Sequence, residues 1–520
     1  MGIHRVAIAL TAVLVLLSSS AWAADWQSQL VDLIHAEPGT ARDALLAEIV
    51  DAAPDWQAVA DHLRALEFPP APAGRFVQHE ALCLDGAVRP WLVYVPSGYD
   101  PAVPTPLLIK LHGGVGTPNL PDDPRAEEQD SPYLPFADRY GYLVLFPYGQ
   151  EGATWWDEVG MANVAQQLRD AKRSYNVDDD RVYMGGFSDG ASASFCHAMV
   201  APTDYAAFVA LNGHLGVGSL DGDLPLYATN LANTPLYATT TFDDELYPSR
   251  RMRPAIEMAR AAGGDVYYRE LLGTHDFDFA DTELPRIARF LARHPRDPLP
   301  HRIDWETALP EFGRCRWLSI DKVAFTDPAP WHEDHNAALL DEMIVIGFQP
   351  DDTFEGPGML VGSVVEGYAA DSLGLLAGDV IVQAGELEIV DGDDLWEYKS
   401  GLSRGDAVSL VVIRDGQEVT LDGQMPPPES YFVFKREQPS ARARVSFSAN
   451  HVDVQGSRLG AFSVYVHPDM FRLEEEIVIT VDGEEVFRGM VEPDLGFMLE
   501  QYLQDRDRKL LYVAKVSVEL

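Results

Sequence analysis

The chain has 520 residues, 47% of them hydrophobic and 23% charged, the composition of about three or four folded globular domains rather than of a fibre or a disordered chain. Its formal net charge is −42, from 81 Asp and Glu against 39 Lys and Arg. A surface field of that sign makes nucleic acid and anionic membranes poor partners, and suits a salty or extracytoplasmic medium. Compositional drift without functional meaning accounts for it equally well.

The first 23 residues read as a processing signal. Arg5 supplies a positive region, residues 6–17 an apolar core, and Ala21-Trp22-Ala23 a small-residue cleavage site. The core is too short for a good membrane span, and no cysteine follows the cleavage site to take a lipid. The expectation is an exported chain, periplasmic or secreted, beginning near Ala24, with no membrane span left after cleavage. Cys83, Cys196 and Cys315 allow at most one internal disulfide and leave one thiol over.

Residues 24–72 read as a helical preface. Helical spacing recurs over residues 41–50, with Thr40 as a candidate N-cap, and over residues 55–63, until Pro69-Pro70-Ala71-Pro72 breaks it. This preface is expected to pack on, or cap, the domain that follows it. Over residues 73–298 strands alternate with helical segments. Strands are predicted at 90–96, 106–111, 142–147, 181–184, 205–212, 235–242 and 265–271, and helices at 161–175, 249–262 and 282–294. That alternation predicts an α/β domain with a mostly parallel sheet covered on both faces, and such sheets form their sites at the carboxyl ends of the strands.

One of those strand ends carries Gly186-Phe187-Ser188-Asp189-Gly190, a Gly-x-Ser-x-Gly pentapeptide, followed by the small residues that open a helix. A strand running into so tight a turn exposes the serine at its apex, and the glycines let strand and helix approach. The pentapeptide alone is a weak pattern, since a Gly- and Ser-rich turn matches it too. Its neighbours give it weight. The strand ending at Leu111 runs into His112-Gly113-Gly114, which sets glycine amides where the oxyanion of an acyl-transfer intermediate would form. Gly114 is the first expected donor, with Gly113 close behind, and Asp189 supplies the second N–H. His112 precedes the nucleophile and is read as structural. The acid falls in Asp243-Asp244-Glu245, four residues before Pro248 for Asp244, with Asp243 the neighbouring alternative and Glu245 a distant third. The base is His275, in Gly273-Thr274-His275, after the last strand of the alternation. Ser188, Asp244 and His275 thus follow in the chain order Ser, Asp, His.

On these motifs, together with Trp155-Trp156-Asp157, residues 75–298 resemble an α/β-hydrolase, in particular exported serine esterases of the feruloyl-esterase and polyhydroxybutyrate-depolymerase type. The resemblance implies hydrolysis of carboxylic esters with no cofactor. One departure concerns the pocket: many such esterases carry Cys or Thr after His-Gly, where this chain has Gly114-Val115. Trp155 and Trp156 are expected either to line the pocket or to anchor the core.

Residues 338–424 resemble a PDZ domain of the kind found in bacterial periplasmic proteases. The match runs through residues 358–365, then Gly374-Leu375-Leu376-Ala377-Gly378-Asp379-Val380-Ile381, Asp393-Asp394-Leu395-Trp396 and residues 412–416. Ile346-Gly347-Phe348 has the form of the carboxylate-binding loop, so a peptide C-terminus is the expected ligand of its groove; a module that packs within the chain and binds nothing is the plainer alternative. The strand-rich pieces on either side, 299–337 and 425–520, read as two halves of one β-rich domain with the PDZ unit inserted between Pro328-Ala329-Pro330 and Pro426-Pro427-Pro428. Trp331-His332-Glu333-Asp334-His335 gathers two imidazoles and two carboxylates, but the spacing matches no established metal site, and no metal is expected. His214, after a strand, is a turn residue or a pocket border.

The sequence therefore predicts an exported serine hydrolase acting on a small ester. The rivals are a peptidase using the same triad and a PDZ-based scaffold with an inactive hydrolase domain. No feature of the pattern sets an oligomeric state.

Overall fold

The computed structural model describes residues 26–520 except 53, 54 and 352. The processing signal lies outside the described residues. Among the described residues no helix is long and apolar enough to cross a membrane.

Eight strands form the central sheet: β1 (Arg75–Leu82), β2 (Val88–Val95), β3 (Thr105–Leu111), β4 (Leu143–Phe146), β5 (Val177–Phe187), β6 (Ala207–Leu211), β7 (Leu236–Thr241) and β8 (Val266–Leu271). Their order is β1-β2-β4-β3-β5-β6-β7-β8. β1, β2 and β4 pair antiparallel, and every pair from β4 to β8 is parallel. This is the α/β-hydrolase sheet that the motifs implied. The buried strands β3, β4, β6 and β7 read as continuous apolar or small-residue runs because helices cover both faces. One core, with Ile109, Met184, Phe195 and Trp155, lies on one face; a second, with Tyr142, Phe136, Tyr183 and Ile287, lies on the other.

The strand-rich pieces on either side of the PDZ unit meet in space. Arg302–Thr307 pairs antiparallel with Ala441–Ser448, setting Trp305 opposite Ala443. Leu318–Val323 pairs with Leu459–Val466, which in turn pairs with Ala514–Glu519. The helical preface, Trp26–His35, Thr40–Asp51 and Trp56–Arg64, meets the hydrolase at its edge, where Arg173 pairs with Glu37 at 3.3 Å, but does not bury its apolar face there. Leu30, Leu33, Ile49, Val59 and Leu63 instead enter the same core as Trp305, Trp317, Phe462 and Tyr512. These stripes complete a hydrophobic core that the two small sheets leave open.

The β-rich unit is tied to the hydrolase by buried charges. Arg296 Nη1 donates to Asp507 at 2.6 Å, and Lys172 Nζ stands 3.7 Å from the same carboxylate, all of them buried. Charges taken out of water in this way persist because each meets an opposite partner.

The PDZ unit has a five-stranded sheet path, from Phe348–Pro350 at one edge through Met359–Val364, Val380–Ala384 and Ala407–Arg414 to Gln417–Gln424. Helix Gly392–Ser400 starts with a capping box between Asp391 and Asp394. A two-stranded stem, Ala338–Asp341 against Glu429–Phe432, joins the unit to the rest. Leu339, Val433 and Phe434 at its base are buried in the hydrolase core. Residues 429–434, assigned from sequence to the β-rich piece, thus sit on the hydrolase.

Cys83, Cys196 and Cys315 are separate buried thiols. Burial pushes the Cys315 thiol up to about 12 and the Cys196 thiol higher still.

Candidate active site

The site is assembled at the carboxyl edge of the central sheet. Ser188 follows β5 with φ 58° and ψ −118°, a conformation that costs a non-glycine residue energy and is held only because its surroundings enforce it. Leu211 accepts its N–H at 3.0 Å, and the helix Asp189–Val200 starts directly behind it. Gly186 and Gly190 are required by closeness: a Cβ on either would stand 2.5 or 2.2 Å from the Leu111 carbonyl oxygen. Strand β3 and the Ser188 turn can touch only through glycine.

His275 Nε2 lies 2.9 Å from Ser188 Oγ, and its Nδ1 lies 2.8 Å from Asp244 Oδ2. The three residues come from the ends of β5, β7 and β8. Asp244 is buried, and its Oδ1 accepts the N–H groups of Leu246 at 2.9 Å and Tyr247 at 2.6 Å. Asp243, the alternative acid, points to solvent. Glu245 accepts the backbone N–H of His275 at 3.2 Å, so it holds the loop rather than the imidazole. Phe187 and Tyr247 pack on the His275 ring, with centroids 5.0 and 5.7 Å away.

Gly113 is pressed against Ser188; a Cβ there would come within 2.9 Å of Ser188 Cβ. Gly114 is in the left-handed region at φ 67°. Asp189 ties the two halves together, its Oδ2 accepting the Val115 N–H at 2.9 Å. Among the described residues the amides of Gly113, Gly114 and Asp189 have no protein acceptor, whereas the next amide, of Val115, does. Three N–H groups beside Ser188 are therefore free for a developing oxyanion. His112 is held in place by its neighbours: its Nε2 accepts from Gly149 N–H at 3.0 Å, so its Nδ1–H donates to the Gly113 carbonyl at 2.7 Å.

Two pairs of alternatives are decided. Trp155 and Trp156 do not border an open pocket. Trp155 is fully buried and donates its indole N–H to the His112 carbonyl at 2.9 Å; Trp156 is 4% exposed and donates to Asp221 at 2.9 Å. Each buried indole needs a partner for its N–H, and each finds one. His214 is a buried brace, its Nδ1 accepting Gly216 N–H and its Nε2–H donating to Tyr431 of the PDZ stem at 2.8 Å. Burial pushes its pKa down to about 3.

Asn212 is a residue the motif reading passed over. It sits just past β6 at φ 54°, fully buried, and its amide donates to Asp244 Oδ2 at 3.1 Å and Thr241 Oγ1 at 2.6 Å. An Asn-Gly pair at the carboxyl end of a parallel strand was the available signal, since Asn tolerates a left-handed turn and still offers donors. In the Trp331–His335 cluster the imidazoles go to different places: His332 to Glu306 at 2.9 Å and Ser457 at 2.8 Å, His335 towards Glu333 at 4.0 Å.

In the PDZ unit the carbonyls of Ile346 and Gly347 accept from Ala370 and Val365, turning them into the domain. Phe348–Pro350 is left as an edge strand beside helix Gly392–Ser400. A PDZ domain model matches residues 344–424. The chain is 33% identical over 145 residues to a bifunctional acetylxylan esterase/xylanase of Neocallimastix patriciarum, a match covering 27% of this chain and 20% of that protein. To acetylxylan esterase A of Emericella nidulans it is 27% identical over 134 residues, 23% of this chain and 41% of that protein. The chain thus spans between a fifth and about two fifths of the length of these curated relatives. Among solved structures, a ferulic acid esterase aligns with 42% of this chain and 98% of its own, at 15% identity and a TM-score of 0.36. The chain joins a domain with the α/β-hydrolase sheet order to a segment, 344–424, that matches a PDZ domain model.

Proposed function

We propose that the chain is a serine hydrolase that cleaves carboxylic esters through an acyl-enzyme on Ser188. The observation that carries this reading is the unbroken hydrogen-bond line from Ser188 Oγ through His275 to Asp244, with free amides beside the hydroxyl. His275 Nε2 takes the hydroxyl proton as Ser188 attacks the ester carbonyl carbon. Asp244 keeps the proton on Nδ1 and stabilises the imidazolium. The amides of Asp189 and of Gly114 or Gly113 bind the oxyanion. Collapse expels the alcohol, protonated by His275, and water activated by the same imidazole releases the acid. The curated relatives carry the name acetylxylan esterase, so short acyl esters of polysaccharide hydroxyls are the substrate class to try first. Export through the leader at residues 1–23 belongs to the same reading, since such a substrate lies outside the cell. The edge strand Phe348–Pro350 and the Gly347 loop support the PDZ unit as a binder of peptide C-termini.

The test is hydrolysis of p-nitrophenyl acetate by the purified chain, compared with Ser188→Ala. Loss of at least about 10⁴-fold in kcat is expected, the scale of a removed nucleophile. Turnover that survives in the alanine variant assigns the chemistry elsewhere. A panel of acetylated xylan, feruloyl esters and unstructured peptides then separates esterase from peptidase.

A further inference from the structure

Two hollows meet at the PDZ unit. The peptide groove, of about 230 Å³, is lined by Val345, Ile346, Phe348, Leu395, Trp396 and Lys399. Behind it a cavity of about 490 Å³ opens between the PDZ unit and the hydrolase. Val345, Trp396 and Lys399 also form its near wall, and Asp243, Asp244 and Glu245 its far wall. The carboxylate end of a PDZ groove and the loop that carries the candidate catalytic acid are therefore two sides of one space.

The two sides are also wired together. Arg404, just past the groove helix, pairs with Asp341 at the end of the stem. Arg251 stands 4.0 Å from the same carboxylate and donates to the Leu246 carbonyl at 2.6 Å. Leu246 is one of the two residues whose amides hold Asp244. Arg250 and Glu342 make a second tie at 3.2 Å. The line is poorly satisfied: among the described residues the buried Nε atoms of Arg251 and Arg404 have no acceptor. Unmet donors leave a polar network without a single best arrangement of its hydrogen bonds, and such a network can respond to a ligand that favours one arrangement. Lys399 is the other unusual group. Among the described residues it makes no ion pair, in a chain with 81 acidic residues against 39 basic ones. Its Nζ rests 5.1 Å from the Trp396 ring centre, half-buried at the junction of groove and cavity. An unmatched cation there calls for an anionic ligand.

We propose that a peptide with a free C-terminal carboxylate, seated in the PDZ groove against Lys399, is an allosteric effector of the Ser188 site. Its occupancy orders the shared wall and is transmitted through Arg404, Asp341 and Arg251 to the Asp244 loop. The coupling is positive, because a wall already ordered by one ligand costs the second less to use. The proposal rests on the hydrolase reading for its output.

The experiment takes the full chain and selects binders from a pool of fluorescein-labelled heptapeptides of random sequence ending in free Val, Leu or Phe. Affinity for a phenylboronic acid at Ser188 is measured with and without the selected peptide, and peptide affinity with and without the boronic acid. Both affinities are expected to tighten by the same factor, about fivefold or more, as linkage requires. C-terminal amidation of the peptide, or Lys399→Glu, is expected to weaken peptide binding at least tenfold and to raise by the same factor the peptide concentration that affects the site. A pool that yields no binder, or affinities that ignore or oppose each other, overturns the proposal. A wild type without ester turnover defeats the hydrolase reading alone. The linkage is then read from amide hydrogen exchange over residues 242–248, which the peptide must slow; unchanged exchange overturns it.

Discussion

The chain carries two rows in which a serine hydroxyl, an imidazole and a carboxylate follow one another. In one, Ser188, His275 and Asp244 stand at three strand ends of the central sheet. In the other, Ser457 Oγ lies 2.8 Å from His332 Nδ1, and His332 Nε2 lies 2.9 Å from Glu306 Oε1. The distances are the same within 0.1 Å, yet the surroundings differ in every respect that matters to chemistry. Ser188 is strained and has three unclaimed amides beside it; Ser457 ends an ordinary strand, and its oxygen already accepts the Ala329 N–H at 2.9 Å. Glu306 is claimed as well, by Ser440 at 2.7 Å and Thr229 at 2.9 Å. Ser457 and Glu306 are buried and the His332 side chain is 5% exposed, so the row clamps the segment entering the PDZ stem onto the β-rich unit. A row of three residue types is not a catalyst; free donors, strain and access make the difference.

The largest expected effect breaks the first row without disturbing its packing. Asp244→Asn keeps the shape of the side chain but no longer holds the proton on His275 Nδ1. A loss of about 10⁴-fold in kcat for p-nitrophenyl acetate is expected, the scale seen when such an acid becomes an amide. Asp243→Asn, changing an exposed neighbour, is expected to leave kcat within about twofold. Equal losses in the two variants would return the acid to the open choice that the sequence left.

The second row supplies the opposite outcome. Ser457→Ala removes the acceptor of the Ala329 N–H and one of the two partners of His332, and should cost about 1–3 kcal/mol of stability in urea denaturation. Ester turnover at 25 °C should stay within about twofold, and a fluorophosphonate probe should label the chain at Ser188 alone. Loss of activity at full stability in this variant would make the clamp part of the site.

The contrast also explains what was legible in the sequence. The strand alternation, the Gly-x-Ser-x-Gly turn and the chain order of serine, acid and histidine are local patterns tied to one sheet, and the α/β-hydrolase fold follows from them. The PDZ unit was equally legible, since its glycines and apolar alternation are local. What escaped depends on contacts between distant segments. The choice between Asp243 and Asp244 turns on which way one loop residue points. Whether Trp155 faces solvent or the His112 carbonyl depends on the depth of the floor beneath β3. The docking of the helical preface needed a core whose other parts lie some 250 to 480 residues further on. Asn212 acts through Asp244, a residue 32 positions away, and no spacing rule announces it.

The smallest effect concerns protonation, and again sets two histidines against each other. His275 lies between two polar partners at the edge of the site, whereas His197, on the buried nucleophile helix, has one hydrogen bond, to the Trp155 carbonyl at 3.0 Å. Burial pushes the His197 pKa down to about 4 from an ordinary 6.5. Between those values the unfolded chain binds a proton that the native chain refuses, so native stability is complete above pH 6.5 and declines as pH falls towards 4. His214, held down to about 3, and His467, held down to about 4, act in the same sense. His197→Gln keeps a donor for the Trp155 carbonyl but cannot titrate. The slope of unfolding free energy against pH between 6.5 and 4 should therefore become shallower by up to about 1.4 kcal/mol per pH unit, one proton's worth. An unchanged slope in urea titrations of the variant would mean that His197 is already protonated in the native core, and that the helix behind Ser188 is wetter than its packing implies.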